Sequence, residues 1–295
     1  MKILRAEHMG MCFGVRDAIA LAKERSQNGG VTVLGELVHN RSVQGELERR
    51  GVKIEKRVEA VVTRDVMITA HGTSERELER IRGRGLNVIE ATCPLVRHAH
   101  DSVKRLAEAG YHPVIVGKRD HVEVRGLTGD LDAYDVVLSK EDVAALAPCA
   151  RFGVAAQTTQ PLTRVEALVD ELRRQFPDSE VKFVDTVCGP TKQRQAAAAE
   201  MARAADAVVV IGGANSNNTR ELVSVCGRHC DCVHHVQTAA DLEESWFEGA
   251  ETVGVTAGTS TPDDTIAEVE AWLTSINERL AASTAPVAPV GAMGA

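Results

Sequence analysis

Aromatic side chains are scarce: two Trp, two Tyr and five Phe make up only 3% of 295 residues. That leaves little for stacking against bases. A basic excess is missing as well, since 34 Lys and Arg stand against 42 Asp and Glu, for a net charge of −8. Without surplus cations there is little to displace counterions from a phosphate backbone, so no nucleic-acid partner is expected. No stretch reaches the roughly 18 uninterrupted apolar residues of a membrane-spanning helix. The opening MKILRAEHMG has no apolar core of an export signal, and a cytoplasmic protein without a membrane partner is expected. A Walker loop, a GxGxxG fingerprint and an HExxH pair are also absent. Nucleotide hydrolysis, nicotinamide or flavin binding and zinc-protease chemistry therefore gain no support.

Cysteine is present, seven times. An odd count with no export signal points away from a disulfide framework and towards metal or catalytic use. Cys226, Cys230 and Cys232 crowd together in VCGRHCDCVHH with His229, His234 and His235. They resemble a zinc site by eye, but the spacing fits no paired-ligand pattern. Cys149 reads as a packed thiol. The remaining three recur on a larger scale.

Short β-branched runs alternate with amphipathic runs such as DSVKRLAEAG and RVEALVDELRRQF, which predicts repeated βαβ units with mostly parallel sheets, an α/β fold. The units are themselves repeated. One strand type reads VTVLGELVHN (31–40), PVIVGKRDHVEV (113–124) and AVVVIGGANSNNT (207–219): an apolar strand, a Gly, then a polar loop. A second reads VMITAHGTS (66–74), FGVAAQTTQ (152–160) and VGVTAGTST (253–261), each ending in small hydroxyl residues. The third element is a cysteine at a turn, in GMCFGV, ATCPLV and TVCGPT. These are Cys12, Cys93 and Cys188, spaced by 81 and 95 residues. Repeats this long are lobes rather than solenoid turns. The expected division is 13–92, 93–187, and 188–278 together with 1–12, followed by a flexible Ala/Pro/Gly tail over 279–295.

Parallel sheets bind ligands beyond the carboxyl ends of their strands. Three lobes facing a common centre would turn those ends into one cavity and bring the three cysteines together. Three thiolates without a fourth suit an iron-sulfur cluster with one iron left open, a Lewis acid for a substrate oxygen. A three-cysteine zinc and three separate buried thiols are the alternatives. The strand ends add His39, His71, His121, Thr158, Thr159, Thr191, Ser216, Asn218 and Ser260. Singly, each reads as a loop histidine or a helix cap. Together they form a set of hydrogen-bond donors suited to a phosphate or diphosphate. Glu123 is an acid among donors and reads as a proton donor with the Thr158 hydroxyl beside it. With no nucleotide or flavin site, electrons for a cluster would have to come from another protein.

In combination, CFGV, VHN, AHG, ATCPLV, HVEVRG, QTT, a third Cys ahead of RQ, NSNNT and TAGTSTPD resemble the LytB/IspH family of 4-hydroxy-3-methylbut-2-enyl diphosphate reductases, over about residues 1–275. The resemblance implies a trefoil of three pseudo-symmetric α/β lobes around a 4Fe-4S cluster, with Cys12, Cys93 and Cys188 as ligands and one iron open. It implies an oxidoreductase of the non-mevalonate isoprenoid pathway that removes the allylic hydroxyl of (E)-4-hydroxy-3-methylbut-2-enyl diphosphate, giving isopentenyl and dimethylallyl diphosphate. The matching substrate contacts are His39, His71, His121, Thr158, Ser216, Asn217, Asn218 and Ser260. Glu123, Thr158 and His121 match as catalytic residues, and a ferredoxin- or flavodoxin-type donor is implied as the source of electrons. The sequence departs from the family pattern at Lys118, where His is frequent, and at Val122, where Pro usually follows the histidine. It also departs at Asn217, where a second Ser is common, and at Gly189-Pro190. The other readings are a paralogue acting on a related phosphorylated allylic alcohol, a cluster-dependent hydro-lyase and a non-catalytic iron-sulfur sensor.

Overall fold

The structure is a computed structural model and describes residues 1–27 and 30–283. Among these residues, twelve strands form three sheets of four, all parallel. The first sheet has the order β3 (Lys53–Glu55), β2 (Val31–Leu34), β4 (Asp65–Ile68), β5 (Asn87–Glu90). The second runs β7 (Asp135–Val137), β6 (His112–Val116), β8 (Arg151–Ala156), β9 (Glu180–Phe183). The third runs β11 (Val233–Val236), β10 (Ala207–Ile211), β12 (Thr252–Ala257), β1 (Lys2–Arg5). Each order is second strand, first, third, fourth, and β1 serves as the fourth strand of the last sheet, with Ile3 opposite Val253.

The helices between these strands are α1 (Phe13–Ser26), α2 (Arg41–Arg49), α3 (Glu75–Gly83), α4 (Pro94–Glu108), α5 (Val122–Thr128), α6 (Lys140–Ala144), α7 (Leu162–Gln175), α8 (Gly189–Arg203), α9 (Asn217–Cys226) and α10 (Asp263–Ser283). Strands made of continuous Val and Ile must be covered on both faces. In the third sheet Val209 and Val255 pack with Leu273 on one side, while Val208 and Val210 pack with Met201 and Leu222 on the other. The first and second sheets likewise carry one apolar cluster on each face. Helix α10 continues to Ser283, into the segment expected as tail; residues 284–295 lie outside the described residues.

This topology fixes where chemistry can sit. First and third strands are neighbours in every sheet, and their connections leave in opposite directions, which makes each β2–β4, β6–β8 and β10–β12 seam a switch point. His39 and His71 follow the first seam, His121 and Thr158 the second, Ser216 and Ser260 the third. After every fourth strand comes a cysteine. Cys12, Cys93 and Cys188 are the N-caps of α1, α4 and α8.

Candidate functional site

Cys12, Cys93 and Cys188 line a single cavity of about 80 Å³. The thiols of Cys93 and Cys188 are held by the first turns of their own helices, Cys93 by the Leu95 and Val96 N–H groups and Cys188 by Thr191, whose Oγ1 lies 3.1 Å from its Sγ. All three stand at a helix N-terminus, where the partial positive charge favours a thiolate and anything anionic bound to it. Burial pushes the Cys93 and Cys188 thiols up, opposed by N–H groups of Leu95 and Val96 at Cys93 and by Thr191 at Cys188. The helices meet closely here. A Cβ at Gly14 would stand 2.6 Å from Cys93 Sγ, so only glycine lets α1 start against the neighbouring cysteine.

Residues the sequence reading passed over hold these thiols in place. Arg194, 9% exposed, donates from Nε to the Gly10 carbonyl at 3.0 Å and from Nη1 to the Pro190 carbonyl at 3.1 Å. It ties the turn before Cys12 to the helix that carries Cys188. Burial pulls its guanidinium down, while the Cys12 and Cys188 thiols pull it back up. Two of the three cysteines, Cys93 and Cys188, are bracketed by ion pairs. Glu90 and Arg97 pair at 2.8 Å, and Asp185 and Lys192 at 2.5 Å. In both cases the acid lies three residues before the cysteine and the base four after, a repeat that was visible in the sequence.

Adjoining this chamber is a second cavity of about 40 Å³, the cradle, which shares Val15, His71, Glu123, Thr159 and Thr259 with it. His39, His71 and His121 meet here with ring centroids 5.2–5.6 Å apart, joined by Ser216, Asn217, Asn218 and Ser260. His39 Nε2, both polar atoms of the Asn218 amide and Ser260 Oγ are buried without a partner. Orphaned polar atoms at this density cost stability unless a ligand satisfies them. Burial holds His71 well below the usual imidazole range, and burial with the nearby His39 and cations brings His121 to about 3. Both rings are therefore neutral. His121 Nδ1 accepts the Glu123 backbone N–H at 3.1 Å, which leaves the ring proton on Nε2. Thr69 Oγ1 lies 3.3 Å from His71 Nδ1 and accepts the His71 backbone N–H. Glu36 occupies His39 Nδ1 at 2.8 Å. The three histidines have ligand nitrogens within 4.8 Å of one another, a spacing a cation could accept. The surrounding hydroxyl and amide donors suit an anion better.

Asn217 spends its amide on Thr159 Oγ1, at 3.1 Å. Thr158 lines the thiol chamber only, whereas Thr159 lines both the chamber and the cradle.

Glu123 sits on the wall between the two cavities, in the first turn of α5 and 1% exposed. The Thr158 backbone N–H donates to Oε1 at 2.6 Å. Burial nevertheless outweighs this bond and raises the carboxyl to about 7. The group can therefore carry a proton at neutral pH, which is what a general acid needs. A third, outer cavity of about 500 Å³ shares His39 and His121 with the cradle and opens beyond them.

The crowded cysteines do something else. Cys226 and Cys230 are buried, at 0% and 7% exposure, and burial pushes the Cys226 thiol up to about 12. Cys230 bonds to backbone carbonyls, and Cys232 lies 3.1 Å from His234 Nε2, whose ring stacks on Trp246 at 4.0 Å. Among the described residues these side chains form no group with metal-ligand spacing.

The sequence profile of the LytB protein family matches residues 3–274. The 4-hydroxy-3-methylbut-2-enyl diphosphate reductase of Trichlorobacter lovleyi is 39% identical over 280 residues, covering 94% of this chain and 99% of its own. That of Geobacter sulfurreducens is 41% identical over 271 residues, covering 91% and 95%. Among solved structures, the E-1-hydroxy-2-methyl-but-2-enyl-4-diphosphate reductase of Plasmodium falciparum aligns with a TM-score of 0.87 at 26% identity, over 92% of this chain and 88% of that one. A structure of (E)-4-hydroxy-3-methyl-but-2-enyl diphosphate reductase, described as the terminal enzyme of the non-mevalonate pathway, aligns with a TM-score of 0.65 at 34% identity, over 93% and 100%. With the profile spanning nearly the whole chain and relatives near 40% identity matching end to end, this chain belongs to the LytB family.

Proposed function

We propose that the chain reductively dehydroxylates (E)-4-hydroxy-3-methylbut-2-enyl diphosphate to isopentenyl and dimethylallyl diphosphate, the last step of the non-mevalonate pathway. The observation that carries this reading is the buried Glu123 carboxyl standing between a chamber of three thiols and a cradle of orphaned donors. The lobes are taken as 13–92, 93–187, and 188–278 with 1–12, so that one cysteine marks each junction. Cys12, Cys93 and Cys188 would hold a 4Fe-4S cluster. A single zinc with bonds of about 2.3 Å would draw its sulfurs to about 4 Å of one another. The three sulfurs share a cavity without gathering within 4.8 Å as the histidine nitrogens do, which fits a larger, multi-iron group. Bound there, the cluster would supply electrons and a Lewis-acidic iron.

The protein's own groups do the rest. His121 donates from Nε2 to a diphosphate oxygen, with His71, Ser216, Asn218 and Ser260 completing the cradle and His39 held against Glu36 at its edge. The carbon chain then extends past Val15 and Thr259 towards the thiol chamber. Glu123, oriented by the Thr158 N–H, delivers a proton to the departing hydroxyl. One C–O bond breaks and one C–H bond forms, consuming two electrons and two protons and releasing water. A ferredoxin- or flavodoxin-type protein in the cytoplasm would supply the electrons. No helix among the described residues is long and apolar enough to cross a membrane.

The test is an anaerobic assay of cluster-reconstituted protein with this substrate and reduced methyl viologen, with iron, sulfide and C5 products quantified together. Turnover to the two diphosphates is expected. Near four irons per chain with no turnover would overturn the assigned reaction and leave the cluster site standing.

A further inference from the structure

The outer cavity differs in charge from everything inside it. Lys56, Lys118, Arg125 and Arg220 line it, opposed by only two carboxylates, Glu36 and Asp120, in a chain that is net negative overall. Glu36 is already engaged by His39. None of the four cations has an ion-pair partner among the described residues, whereas Arg76, Arg80, Arg97, Arg151 and Lys192 elsewhere on the surface are all paired. Four unpaired cations from three sheets converging on one opening are not a solvated charge run. Lys56 comes from the loop after β3, Lys118 and Arg125 flank the β6–α5 turn, and Arg220 lies in the first turn of α9.

The cradle behind them lacks permanent charge. Its donors are hydroxyls, an amide and the His71 and His121 rings, which burial keeps neutral, while His39 is paired with Glu36. Such donors satisfy the oxygens of a diphosphate ester but leave its two or three negative charges uncompensated. The four cations line the cavity that meets the cradle at His39 and His121. Their field reaches that junction, because Lys118, Arg220 and Arg125 all bear electrostatically on the His121 ring. A low-dielectric opening lined by one sign of charge also concentrates counter-ions and raises association rates, an effect that salt weakens.

We infer that Lys56, Lys118, Arg125 and Arg220 form an outer anion station, which captures small phosphorylated anions from solution and supplies the counter-charge that the neutral cradle lacks. Lys118 belongs to this station and stands where the sequence departs from its family's pattern. The inference rests on the cradle being a diphosphate site, and its test is built to fail separately from the assigned reaction.

The experiment uses the full chain and its K56Q/K118Q/R125Q/R220Q variant. Inorganic diphosphate is titrated calorimetrically at several salt concentrations, alongside steady-state kinetics of the reconstituted enzyme. Expected are at least a tenfold weaker diphosphate affinity in the variant, a flatter dependence of log Kd on log salt, and a loss in kcat/KM carried by KM. Asp120→Asn should act oppositely, raising kcat/KM at low salt and losing that gain at high salt, which a merely misfolded variant could not mimic. Salt-sensitive diphosphate binding that the variant loses, in a protein that does not turn over the proposed substrate, would support the station while removing the reaction. Equal affinity and equal salt dependence in both proteins would overturn the station, whatever the turnover.

Discussion

Two groups of three cysteines divide the molecule. Cys226, Cys230 and Cys232 lie within seven residues of sequence, beside histidines, and end up as packed or hydrogen-bonded thiols at the junction of α9 and β11. Cys12, Cys93 and Cys188 are spread over most of the chain and share one chamber. Nearness in sequence placed ligand-type residues on the two sides of a helix-to-strand turn, where they point into different surroundings. Equivalent positions in a repeat placed them at one centre, because each follows the fourth strand of its sheet and caps the helix after it.

The largest effect expected on this contrast is from Cys12→Ser, Cys93→Ser or Cys188→Ser, each of which should abolish iron binding after anaerobic reconstitution. A Cys230→Ser protein that lost its iron instead would reverse the assignment of the two groups. Gly14→Ala should remove most of the bound iron while leaving the fold intact by circular dichroism, since its methyl collides with Cys93 Sγ. Glu123→Gln should keep iron and diphosphate binding but lose about 10²–10⁴ in turnover.

Glu123→Gln also makes a thermodynamic prediction. With its folded value raised from 4.5 to about 7, the stability this carboxyl contributes is complete below the unfolded value and is lost as pH rises through about 7. Above that it costs the fold about 3 kcal/mol. Melts of the metal-free proteins should therefore coincide at pH 4 and favour the Gln variant at pH 8.5.

Smaller effects probe the other side of the contrast. Cys226→Ser buries a hydroxyl in an apolar setting and should cost about 1–3 kcal/mol in denaturant titrations with iron content unchanged. Arg97→Gln, whose side chain is 55% exposed, should shift stability by at most about 1 kcal/mol.

The sequence made the strand ends legible because each sheet repeats the same order, so the same residue types recur at the same seams. Cys12, Cys93, Cys188, Glu123 and the donors of the cradle could be named from that pattern alone. The division of labour between Thr158 and Thr159 could not, since it depends on which face of one turn looks into which cavity. Arg194 was hidden in the Ala-rich run RQAAAAEMARAA, where a lone Arg reads as solvent-facing, and its role exists only because Gly10 arrives from the opposite end of the chain. HVEV alternates like a strand, yet Val122–Thr128 is a helix. There the imidazole of His121 serves as the cap, and so turns Glu123 inward. The cations of the outer cavity were scattered over the segments that follow three different sheets, with no motif to join them.

The pairing of Ile3 with Val253 has a consequence for how the molecule comes together. During synthesis the first two sheets can finish as their residues emerge, because all four strands of each are consecutive. β1 has no partner until β12 has been made, a closure across most of the chain and the kind of contact that forms late. Cys12 hangs from that strand. The thiol translated first is thus the last to be put in position, and no fragment ending before residue 252 can present all three.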